Sequence, residues 1–139
     1  MKRLLLAAVL AAVPPAAVAA DLTVTVEGIR SDKGDVYLAV FETPRHWPDG
    51  DKAEHQERRK AVPGTVTFTL RGLQPGTYAV ASYHDENGNA VFDKNFLGLP
   101  KEGWAVSNDV RPHLRAPHFE EAAIVLPPEG RTIAIRLGY

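Results

Sequence analysis

The sequence predicts an all-β protein, a single antiparallel β-sandwich with a long ordered loop region after its central strand. Three observations carry this. Short segments alternate apolar and polar residues with the two-residue period of a half-buried strand. Glycine and proline fall between those segments at fairly regular spacing. The longest stretch outside that pattern, Glu42 to Lys60, lacks the apolar stripe that a packed helix needs.

The chain begins with a different kind of segment. Lys2 and Arg3 precede an apolar run over residues 4–13, and Ala17-Val18-Ala19 supplies small residues. That is the layout of a secretory signal peptide, so residues 1–20 are expected to be removed, after Ala19 or Ala20. The run is too short and too interrupted by Pro14 and Pro15 to span a bilayer comfortably. Residues 21–139 are then one exported domain, periplasmic or extracellular, with no membrane span.

Residues 22–27 alternate strictly and read as the first strand. Gly28 and the polar run 31–35 mark a turn. In the next strand Val36, Leu38 and Val40 line one face, and Tyr37, Ala39 and Phe41 the other. The short Gly-containing connection makes these two strands a hairpin. From Glu42 to Lys60 the chain turns charged without an apolar stripe and reads as a solvated excursion. Residues 65–70 alternate again. Pro75-Gly76 makes a turn into a strand over residues 78–83, rich in β-formers. Residues 121–126 and 132–137 supply two more strands around Pro127-Pro128-Glu129-Gly130. The alternating end at Ile133, Ile135, Leu137 and Tyr139 also suits an outer-membrane barrel, but residues 21–139 are too short and carry too few lipid-facing strands for one.

Composition narrows function mainly by exclusion. With no cysteine, thiol chemistry and disulfides are out. The formal net charge of −1 becomes −3 once Lys2 and Arg3 leave, which gives no phosphate-binding footprint and argues against nucleic acid. None of His46, His55, His84, His113 and His118 sits in an H-x-H or H-E-x-x-H pair, and no nucleophile elbow or phosphate loop is present.

The richest chemistry lies in residues 84–95, where Asp85, Asn87, Asn89 and Asp93 place oxygens on alternate residues and then after a gap. Hard cations such as calcium take carboxylate and amide oxygens from one tightly turned loop. Counted from Asp85, positions one, three and five fit a calcium loop. Position six is Ala90 where such loops have glycine, and position twelve is Phe96 where they have glutamate. A site at Asp85, Asn87, Asn89 and Asp93 is therefore expected to be weak. The bland alternative is a turn at Asn87-Gly88 with the other polar groups capping its backbone. Downstream, Phe96, Leu97 and Trp104 are expected to pack over one end of the sandwich, Trp104 as a core plug. An enzyme, by contrast, would gather His84, Asp85 and Glu102 in a concave site.

Several of these runs come in a recognisable order: Pro75-Gly76-Thr77-Tyr78-Ala79-Val80, His84-Asp85-Glu86-Asn87-Gly88-Asn89, Asp93, Gly98, Pro100, Glu102-Gly103, Ser107-Asn108 and Phe119-Glu120-Glu121-Ala122. They resemble a bacterial secreted family catalogued as domain of unknown function 2141. Ala90 departs from that family's glycine, and Ala105-Val106 from its Gly-Phe. The resemblance implies an exported Ig-like or transthyretin-like sandwich and no known activity. The expectation is thus a non-enzymatic binding or accessory module, with calcium as its candidate ligand and an envelope protein or small ligand as partner.

Overall fold

The computed structural model describes residues 12–139; Lys2, Arg3 and most of the apolar run of the expected leader lie outside the described residues. Two sheets face each other. The first has the order β4-β1-β8, with β1 at Ala20–Ile29, β4 at Gly64–Leu73 and β8 at Arg131–Arg136. The second has the order β3-β2-β5-β6, with β2 at Asp35–Phe41, β3 at His55–Lys60, β5 at Gly76–Asp85 and β6 at Gly103–Val106. A short β7 at Ile124–Leu126 also pairs with β5, after one helical turn, α1, at Phe119–Ala122. The all-β sandwich read from the sequence is the fold found.

The core follows from the alternation. Leu22, Val24, Val26, Val66, Phe68, Leu70 and Ile135 point inward from the first sheet, and Val36, Leu38, Val40, Tyr78 and Val80 from the second. The outward threonines Thr23, Thr25, Thr67 and Thr69 sit opposite one another in register on β1 and β4, a polar face suited to water. The second sheet is apolar on both sides. Its outer face carries Phe41, Ala39, Ala79 and Val106, covered by Trp47, Phe119 and Ala122 from the long connections. Trp47 meets Phe41 and Phe119 edge-on and donates its indole N–H to the Pro117 carbonyl at 2.7 Å.

Four local expectations are corrected. β1 and β2 do not form a hairpin: β1 pairs with β4 and β8, while β2 crosses to the other sheet and pairs with β3 and β5. A strand like β2, with two apolar faces, needs cover on both sides, which a two-stranded ribbon with β1 would not give. The sheets are also not wholly antiparallel, because β8 runs parallel to β1. Within the charged excursion, residues 55–60 form β3, an edge strand. Its exposed Gln56, Arg58 and Lys60 keep the edge from pairing with another chain. Residues 121–122 belong to α1, so the strand there is only β7.

β6 and β7 share one edge of β5, β6 against residues 81–84 and β7 against residues 76–78. Between them the edge would be bare. The fully buried Ser107 fills the gap, its Oγ accepting the Val80 N–H at 2.9 Å and donating to the Ala122 carbonyl. Asn108 then holds the Glu121 and Ala123 carbonyls, each at 3.0 Å.

Phe68 is fully buried at the centre of the core. Phe68→Ala is expected to cost about 3–5 kcal/mol, read as a lower urea midpoint with little change in slope.

Candidate functional site

β5 carries the candidate residues to one end of the sandwich. His84 continues the inward-facing set Tyr78, Val80 and Ser82, and it is completely buried. One ring nitrogen, Nε2, lies 2.7 Å from the Lys33 carbonyl and so carries the proton; the other, Nδ1, accepts the Tyr139 hydroxyl at 2.7 Å. Tyr139 in turn accepts the Arg30 N–H at 3.3 Å, lies under the Arg30 guanidinium at 4.1 Å, and covers Gly103 so closely that a Cβ there would stand 2.4 Å from its ring. His84 is a structural wedge with neither nitrogen free.

Asp85 is 1 % exposed and organises the loop that follows. Its Oδ1 accepts the N–H groups of Gly88 at 2.8 Å and Asn89 at 3.3 Å, and its Oδ2 that of Ala90 at 2.8 Å. Asn87 Oδ1 accepts the Asn89 N–H at 3.1 Å, and Asn89 Oδ1 the Val91 N–H at 3.0 Å. Short polar side chains bonding backbone two residues on is how such residues wind a tight turn. The side-chain amides of Asn87 and Asn89 both donate to Asp93 Oδ2, at 2.7 and 2.9 Å. The four sequence-selected residues therefore do form one cluster.

Ala90 adopts φ 60°, the left-handed conformation that favours glycine. Position six of the loop thus takes a glycine-type conformation without a glycine. Gly34 is required for the same end of the molecule: at φ 64°, a Cβ on it would lie 1.7 Å from the Asp85 carbonyl.

Glu102 reaches the cluster from the start of β6. It is 7 % exposed, and its Oε2 accepts the Asp93 N–H at 3.2 Å while its Oε1 is buried with no partner. Burial, with Asp85 and Asp93 adding like charge, pushes its carboxyl up to about 7. A cleft of about 180 Å³ opens beside it, lined by Arg30, Glu86, Asn87, Asp93, Lys101 and Glu102. Arg30 and Glu86 pair across the rim at 2.6 Å. Among the described residues, no three His, Cys, Asp or Glu side chains converge tightly enough to hold a metal ion as they stand. His84, Asp85 and Glu102 share this end, yet His84 and Asp85 spend their polar atoms on the fold, and of the three only Glu102 lines the cleft. Sequence spacing pointed to Glu102 only as part of an enzyme, because nothing local links it to residues 85–93; the β5–β6 pairing does. A larger cleft of about 430 Å³ beside Trp47, Pro117 and Phe119 holds none of the predicted residues.

The loop beyond differs from expectation. Phe96 and Leu97 do not pack over the sandwich; they are 95 % and 68 % exposed. Trp104 is half-buried against the outer cluster, under the Arg111 guanidinium at 4.1 Å, and does not plug the main core.

A family described as "Uncharacterized protein conserved in bacteria" (DUF2141) matches residues 24–134, and the chain belongs to that family. No curated protein and no solved structure matches it.

Two outcomes follow from the geometry. Without divalent cations, Glu102 keeps its proton in the folded state up to about pH 7, against an ordinary value of 4.5. The folded state thus binds the extra proton between those values, and its stabilising contribution is present below about 4.5 and lost as pH rises through about 7. Urea titrations in chelator should show this loss, about 2–3 kcal/mol at most, and Glu102→Gln should abolish it. Ala90→Gly should raise stability by about 0.5–1 kcal/mol by relieving the left-handed alanine.

Proposed function

We propose that this member of the family is an exported, non-enzymatic binding module that holds a divalent cation, calcium by its oxygen chemistry, at the end built by residues 85–102. The observation that carries the reading is the unpartnered Oε1 of Glu102, buried beside the Asp85–Asp93 cluster. A buried carboxylate oxygen without a donor is costly, and a bound cation removes that cost while offsetting the repulsion among three carboxylates. The ligand set then differs from the one read from spacing: Asp93 and Glu102 as the carboxylates and the amide oxygens of Asn87 and Asn89, with Asp85, both of whose oxygens accept backbone N–H groups, winding the turn that presents them. Each amide oxygen retains a second lone pair beyond the turn N–H it accepts. Glu102 takes the part of the glutamate absent at position twelve, arriving from a neighbouring strand.

Export rests on the leader pattern of the sequence. Ala20 is buried and pairs with Leu73 at the start of β1, which favours cleavage after Ala19 so that the pairing survives. Among the described residues no helix is long and apolar enough to cross a membrane.

Thermal and urea unfolding of the mature chain at alkaline pH, in chelator and then in about 10 mM calcium, tests the site. With an affinity of about 10⁻⁴–10⁻³ M, calcium should add about 1–3 kcal/mol. Glu102→Gln and Asp93→Asn should each remove most of that gain while leaving a cooperative transition. An unchanged midpoint for the unsubstituted chain would overturn the reading.

A further inference from the structure

We infer that the free edge of β4 joins a second copy of this chain, strand against strand, so that two three-stranded sheets become one of six strands. Among the described residues the two sheets have four edges, and three of them carry a device that stops such pairing. β3 presents Gln56, Arg58 and Lys60. β8 is closed at its end, where Asp109 Oδ1 accepts the Arg136 N–H at 2.9 Å and Gly138 bridges Trp104. β6 and β7, which share the fourth side, are only four and three residues long. Charged, covered or short edges are how folded proteins avoid one another.

β4 has none of these. It runs ten residues, Gly64–Leu73, and pairs with β1 alone. From Gly64 to Leu70 it holds no charge and no proline, and Val66, Thr67, Phe68 and Thr69 are strong β-formers. Over Thr65–Leu70 its register against Leu22–Glu27 is unbroken, so no bulge bends this stretch away. Alternate residues here turn their N–H and C=O groups away from β1, and no other strand among the described residues pairs with them.

The edge is complementary to itself. Antiparallel pairing about a two-fold axis at Phe68 sets Thr67 opposite the second copy's Thr69, and Val66 opposite its Leu70. The outward threonine rows of β1 and β4 then continue across the join, as do the inward apolar rows. Gly64 meets Gly72, and a Cβ at either would touch nothing within 4 Å, so both ends are open to approach. Charge favours the same register. Arg71 makes no ion pair among the described residues, and the axis places it opposite Thr65, one strand short of the second copy's Glu27. Two strand spacings are about 9–10 Å, within the combined reach of these side chains. Glu27 has only a loose contact of its own, with Arg136 at 3.7 Å. The two-fold makes the new pair twice. β3 flanks the same side, with Arg59 over the Phe68 ring at 5.6 Å, and its charges confine the union to the first sheet.

Sedimentation equilibrium of the mature chain from about 5 to 500 μM tests the inference, with chelator present because it stands apart from the cation site. A monomer–dimer equilibrium is expected within that range. Thr67→Lys combined with Thr69→Lys sets like charges opposite one another and should weaken association about tenfold or more. Arg71→Glu and Glu27→Arg should each weaken it about threefold or more, and the two reversals in one chain should restore it. Because these side chains face outward, every variant should keep the parent's thermal midpoint at low concentration. A parent that stays monomeric throughout would overturn the proposal, as would association that the lysine pair leaves intact. Failure of the double reversal to restore association would do the same.

Discussion

The burial of Asp85 is the constraint on which the β5–β6 end of this molecule depends. A carboxylate 1 % exposed is tolerable only when donors surround it, and here three successive backbone N–H groups do so. Those three bonds curl residues 86–90 back on themselves at the point where β5 stops. The curl sets where Asn87, Asn89 and Asp93 lie, and Asp93 sets where Glu102 meets the loop. On the far side, Gly34 lets β2 approach the Asp85 carbonyl, and His84 plugs the core directly beneath. Removing the carboxylate would leave these N–H groups unpaired and the return path to β6 unspecified.

The same crowding gives the site its electrostatic character. Asp85, Asp93 and Glu102 are gathered by backbone geometry rather than by cations of the protein, for Arg30 is occupied by Glu86 and stacked on Tyr139. Burial weighs most on the member with fewest donors, Glu102, and repulsion from Asp85 and Asp93 adds to it, so its carboxyl rises toward neutrality. A divalent cation bound as proposed would compete with the proton for this carboxyl. This links the ion affinity of such a site to pH more steeply than for carboxylates already held by N–H groups.

What the sequence disclosed divides along physical lines. Alternation located β1, β2, β4, β5 and β8, because each buries at least one face. It could not disclose β3, whose side chains are mostly exposed and whose role is to finish an edge. Nor could it assign partners: β1 and β2 are adjacent in sequence yet lie in different sheets, and only the second apolar face of β2, at Ala39 and Phe41, hinted at cover from elsewhere. That Asp85, Asn87, Asn89 and Asp93 cluster was legible, because they wind one local turn. Glu102 as their fifth partner was not, since its position depends on β6 returning alongside β5. Phe96 and Leu97 were misplaced because apolar character alone does not say whether a residue faces a core or the outside.

Asp93 joins the two halves of the 84–103 connection. Its side chain receives the Asn87 and Asn89 amides, so it belongs to the turn wound on Asp85. Its backbone belongs to the exposed turn that follows: the carbonyl accepts the Lys101 N–H at 2.9 Å, closing the base that Lys94 and Pro100 continue. The N–H of the same residue is bound to Glu102. The exposed turn at residues 95–99 is thus tied at its base to a half-buried aspartate whose neighbours, Asp85 and Glu102, are buried.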